Sequence, residues 1–79
     1  MTWNHRILAN VQDNGSVYFQ IHEVYYDKFG KPDSYTLNPI TLGAEDIDGI
    51  KWTLKRIKKC LKKPILYHGE KFPKEYKKQ

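Results

Sequence analysis

The chain has 79 residues, of which 39% are hydrophobic, 14% aromatic and 29% charged, with a formal net charge of +5. That length points to one domain, and the composition reads as globular rather than disordered. A single cysteine, Cys60, excludes an intramolecular disulfide, and no apolar run approaches the ~18 residues of a membrane span.

The charge is unevenly spread. Residues 1–50 carry three bases against seven acids, net −4, and residues 51–79 carry eleven bases against two acids, net +9. A basic end on an acidic body attracts nucleic acid, an acidic protein or a second copy of the chain. With no secretory leader in MTWNHRILAN and no disulfide, the expected setting is a reducing cytoplasm.

Trp3 to Val11 alternates as a strand, with Trp3, His5, Ile7, Ala9 and Val11 on one side. Asn14-Gly15 is a hairpin signal, and Val17 to Asp27, rich in β-branched and aromatic residues, is the partner strand. A three-residue loop at Asn14–Ser16 pairs Val11 with Phe19 and Ala9 with Ile21. It gathers Ile7, Ala9, Val11, Val17, Phe19 and Ile21 on an inner face, because side-chain parity fixes the face. Leu8, Tyr18, His22, Val24 and Tyr26 then face outward.

A turn around Gly30 and Pro32 leads to a third strand over Tyr35–Leu42. Pro39, which lacks a ladder donor, marks it as an edge or bulged strand. Ile47, Ile50, Leu54, Ile57 and Leu61 recur at intervals of 3, 4, 3 and 4, which predicts an amphipathic helix. Gly43 or Asp46 is the expected N-cap, and Pro64 the stop. Ile65–Tyr67 is a short extended segment, a candidate to add at an edge of the sheet, and 68–79 a basic, flexible tail.

The predicted fold is therefore α+β. A three-stranded antiparallel meander is followed by one helix on its inner face (β-β-β-α), as a single domain over 1–67. One helix covers one sheet face. The outer-face residues Leu8, Tyr18, Val24 and Tyr26 are thus the expected interface of a homodimer.

Trp52 falls on the side of the helix opposite the apolar stripe, beside Lys55, Arg56 and Lys59, with Lys63 one turn on. Either the C-terminal tail or the Ile65–Tyr67 segment folds back over it, or it is an aromatic anchor or stacking platform among bases. The search for chemistry gives little else. His5, His22 and His68 are scattered and offer no metal-ligand spacing with one cysteine, so no metal or cofactor is expected. Cys60 has Lys59 and Lys63 near it but borders the apolar stripe, where a small buried hydrophobe fits. Glu23 reads as a rim carboxylate near Tyr25 or His5. No nucleophile has a base in reach, so no catalytic residues are assigned and an enzyme is not expected.

Two resemblances follow from the motifs. WNHR, IHEVYYD, GKP, SYT followed by NP, then WTL and KPIL together resemble a family of short uncharacterised bacterial and phage-type proteins, over residues 2–67. That resemblance implies no particular activity. VYFQIHEVYYDKFGKP, then ITL and a helix, is similar to the strand–turn–strand–helix end of the positive-cofactor-four coactivator domains. This second resemblance implies a dimeric single-stranded-DNA binder with a curved sheet, and it makes Tyr18, Gln20 and His22 candidate contacts. Asp33–Asn38 carries no base where that family has a lysine- and glycine-rich stretch.

Two functions are expected as alternatives. One is a homodimeric module binding single-stranded DNA or RNA through Trp52, Lys55, Arg56, Lys59, Lys63, Tyr18 and His22. The other is an adaptor or inhibitor of the kind phages and mobile elements encode, meeting an acidic protein.

Overall fold

The computed structural model describes residues 2–77. Its order is β1 (Thr2–Val11), β2 (Val17–Tyr26), β3 (Pro32–Tyr35), α1 (Ile47–Lys58), β4 (Leu66–Tyr67), with short 3-10 turns at Lys59–Lys62 and Gly69–Lys71. The sheet is mixed, in the order β3-β2-β1-β4. β1 and β2 pair antiparallel, β2 and β3 antiparallel, and β1 and β4 parallel. The α+β class and the hairpin stand as expected, and the extended segment at Ile65–Tyr67 joins the sheet edge as β4, making four strands where the meander had three.

The hairpin register is two residues from the expected one. Val11 pairs with Val17, Ala9 with Phe19 and Ile7 with Ile21. A longer connection closes it. Gln12 N–H donates to the Ser16 carbonyl at 2.7 Å and Gly15 N–H to the Gln12 carbonyl at 2.9 Å, with Gly15 at φ +89°. A shift of two preserves side-chain parity, so the residues sharing each face are the expected ones.

The third strand is shorter and earlier than expected. After Tyr35 the chain keeps touching β2, through Thr36 N–H to the Glu23 carbonyl and Ile40 N–H to the Ile21 carbonyl. Between those bonds Leu37, Asn38 and Pro39 loop out, because Pro39 has no N–H to continue the ladder.

The core lies on the face expected to be outward. Leu8, Val24 and Leu66 form it, with Tyr26, Tyr35 and Phe72 packed against them. Its cover is the chain's own C-terminal segment, so the expectation of a free tail is corrected through residue 77. Tyr67 N–H donates to the Lys74 carbonyl at 2.8 Å and Tyr76 N–H to the Ile65 carbonyl at 2.7 Å. Burial of Leu66 and the aromatic ring of Phe72 supplies the apolar contact that makes this fold-back stable.

The helix begins where expected, with Asp46 as N-cap accepting from Gly49 N–H at 2.7 Å. Its rotation differs. Gly49, Ile50, Thr53, Arg56, Ile57 and Cys60 turn toward the body of the protein, while Ile47, Leu54 and Leu61 face solvent. At about 100° per residue the inward arc is turned roughly 80° from the centre of the apolar stripe. The helix and its 3-10 extension lie against β1, so the helix does not roof the inner face. No helix among the described residues is long and apolar enough to cross a membrane.

Candidate nucleic-acid interface

Trp52 and Arg56 are four residues apart and so share one side of α1. The Arg56 guanidinium lies over the Trp52 ring, 4.8 Å from its centroid, and over the Trp3 ring of β1 at 4.7 Å. One cation thus holds two indoles from different elements. The indole faces give it partial compensation, since its Nε is buried without a hydrogen-bond partner. Trp3 also meets His5 edge to face, with centroids 5.4 Å apart. Trp52 keeps 58% of its surface exposed, so the described part of the tail does not cover it.

Beside this stack two hollows open. One, of 210 Å³, is lined by Asn4, His5, Arg56, Lys59 and Lys63. The other, of 300 Å³, is lined by Thr2, Trp3, Asn4, Arg6, Tyr26, Gly30 and Lys63. Asn4 and Lys63 belong to both. β4 pairs with Leu8 and Ala9, so among the described residues no strand pairs with the first half of β1 on that side. Arg6 donates from Nη1 to the Tyr26 hydroxyl at 2.8 Å and from Nη2 to the Pro64 carbonyl at 2.7 Å. Tyr26 in turn donates to Asn4 Oδ1 at 2.8 Å.

Three bases, Arg56, Lys59 and Lys63, line the hollow that holds His5. Burial holds the His5 imidazole below its ordinary pKa, with Glu23 opposing and Arg56 adding to the effect. Burial likewise raises the Cys60 thiol, which Arg6 only partly offsets. Cys60 is thus a buried neutral thiol and not a reactive thiolate. Glu23, opposite His5 in the hairpin, accepts from the Tyr25 hydroxyl at 3.1 Å. That bond is the leading cause of the raised Tyr25 pKa. Neither Glu23 nor Tyr25 lines the hollow that holds His5.

Of the expected binding residues, Arg56, Lys59 and Lys63 line one hollow beside Trp52, and Lys55 lies in the same helix, exposed. Tyr18 stands apart, paired with Asn10 near the hairpin turn. His22 is 1% exposed. Its Nδ1–H donates to the Thr36 carbonyl at 3.0 Å, and its ring packs on Tyr35 and His68. It is a core residue, so the placement of His22 as a surface contact is corrected.

The expected dimer face is corrected as well. Leu8 and Val24 are buried within the chain, and Tyr26 is half-buried with its hydroxyl committed to Arg6 and Asn4. Of the four, only Tyr18 is exposed. Exposed apolar surface lies elsewhere. A shallow groove of 490 Å³ is bordered by Ile7, Phe19, Ile21, Pro39 and Ile40, and the line Ile47, Leu54, Leu61 runs along the helix.

Sequence reasoning missed Trp3, Asn4, His5 and Arg6. A signal existed: Arg6 shares its strand face with Leu8, where an unpaired base is costly. Among the described residues no three His, Cys, Asp or Glu side chains gather as metal ligands. Comparison with protein families, with curated proteins and with solved structures returns no match.

Proposed function

We propose that this protein is a small binding module for single-stranded nucleic acid, with Trp52, Trp3, Arg56, Lys55, Lys59 and Lys63 as its contact surface. The observation that carries this reading is Arg56 held between two exposed indoles at the mouth of a lysine-lined hollow. Single-strand binders combine a positive groove that tracks phosphates with aromatic faces on which bases stack without sequence preference. Trp52 supplies such a face, and the lysines supply the charge. A fluorescence titration with single-stranded and duplex oligonucleotides at two salt concentrations tests it. Tight binding to single strands, with log affinity falling steeply with log salt, is expected. Absence of binding at low salt removes the reading.

A second reading rests on the exposed helix line. Ile47, Leu54 and Leu61 are 69%, 48% and 69% exposed, and Lys51 and Lys58 flank them at helical spacing. An apolar line edged by lysines on one side suits an acidic protein with an apolar groove, which is the adaptor or inhibitor alternative. Two copies of this helix laid together would bring those lysines near one another, so the line suits self-association less. The same oligonucleotide titration separates the two readings.

A further inference from the structure

Arg6 is 7% exposed, yet both of its hydrogen-bond acceptors are neutral: the Tyr26 hydroxyl and the Pro64 carbonyl. Its Nε is buried with no partner. Guanidinium cannot shed its proton, and a buried charge without a counter-charge is costly. Cys60, close enough to feel the Arg6 charge, is kept as a thiol by burial and supplies no counter-charge. Two of the five guanidinium N–H donors are used. The 300 Å³ cleft that Arg6 borders also holds Lys63, Asn4 and Tyr26. Asn4 Oδ1 is taken by Tyr26, so its amide N–H₂ is the group left for a ligand.

We infer that the cleft at the open end of β1 is a seat for a phosphoryl group, bound between the Arg6 guanidinium and the Lys63 ammonium with the Asn4 amide as a further donor. The Arg6 guanidinium, the Lys63 ammonium and the Asn4 amide offer this cleft donors and cations, as a tetrahedral oxyanion with several acceptor oxygens requires. Lys63 borders both this cleft and the Arg56–Lys59 hollow, so a phosphate seated here lies next to the stacking surface. The inference rests on the nucleic-acid reading only for the source of the phosphate, namely a terminal phosphate of a short strand.

The test is a ¹H–¹⁵N NMR titration of the whole protein with three probes: inorganic phosphate, a 5′-phosphorylated thymidine dinucleotide, and the same dinucleotide without the phosphate. Chloride at matched ionic strength is the control. Saturable shifts of the Arg6 Nε–H and the Asn4 side-chain amide with the first two probes, and none with chloride, are expected. The 5′-phosphate should tighten dinucleotide binding at least fivefold, and Lys63→Gln, at an exposed position, should erase that gain. Arg6→Gln should abolish the phosphate response if it folds, and Lys63→Gln keeps the test intact if it does not. Shifts that fail to saturate, or that spread evenly over the surface lysines, overturn the seat. Response to inorganic phosphate alone, with neither dinucleotide bound, retains the seat and overturns the strand as its source. Dinucleotide binding indifferent to the 5′-phosphate, with no phosphate response, overturns the seat and leaves the stacking surface.

Discussion

The guanidinium carbon of Arg56 stands 4.8 Å from the centroid of the Trp52 ring. One face of that indole is therefore occupied by a cation, and the exposed remainder is what a base would meet. Base–aromatic stacking is worth about 1–3 kcal/mol per base by alanine substitution. Trp52→Ala should weaken single-strand binding about tenfold or more, with the thermal midpoint little changed because the residue is exposed. Unchanged affinity in a fluorescence anisotropy titration would exclude Trp52 as the platform.

Lys59 and Lys63 should act differently from Trp52. Replacing either by Gln is expected to lower the slope of log affinity against log salt by about 0.7 for each phosphate of a single strand that is no longer neutralised. Trp52→Ala should leave that slope alone. Titrations at three salt concentrations give the comparison, and equal slopes for all variants would contradict the assignment of roles.

Val24 is fully buried beside Leu8 and Leu66, so Val24→Ala should act on stability and not on association. A cost of about 2 kcal/mol is expected from the reduced burial and the cavity left behind. Leu54→Ser, on the exposed helix line, should cost under about 1 kcal/mol. Urea denaturation of the two variants makes the comparison. The reverse order would mean that Leu54 is covered by a second chain.

Phe72 packs on Tyr35 with ring centroids 4.7 Å apart and adjoins the core. Phe72→Ala is expected to cost about 2 kcal/mol, less than for a fully buried ring because Phe72 is only half-buried. A denaturation midpoint unchanged by Phe72→Ala would show that the fold-back adds nothing to stability.

His22 gives a pH signature. Burial lowers its pKa below the ordinary 6.5, against the opposing hydrogen bond to Thr36. The unfolded chain therefore takes up the proton more readily than the folded one, so stability rises with pH in that range. The contribution is complete above about 6.5 and is lost as pH falls through the lower folded value. The same direction holds for His5. Thermal midpoints at a series of pH values from about 8 to about 5 should fall toward the acid side, and His22→Gln should flatten part of that fall.

Much of the hairpin and the helix was legible in the sequence. Alternation from Trp3 to Val11 and the Asn14-Gly15 signal fix the two long strands. Asp46 and Pro64 bound the helix because capping and the missing proline N–H are local chemistry. What covers each face was not legible. Leu8 is covered through Leu66, its partner in β4, and nothing local links residues so distant in sequence. The helix stripe reports which residues are apolar but not how the helix is turned when its 3-10 extension is packed along β1. For the site, the bases near Trp52 followed from helical spacing. Trp3, Asn4 and Arg6 join them only through tertiary contact.

The acceptor for Arg6 Nη2 is the Pro64 carbonyl, 58 positions along the chain, and β4 enters the sheet just beyond it. A contact of that separation closes late, since chain entropy must be overcome before it contributes. The β1–β2 hairpin can form while the remainder is still being synthesised, but the cleft beside Arg6 has only one wall until Pro64 arrives. A growing chain would therefore carry its hairpin before its cleft, and any competence for an anion would be acquired in a late closure.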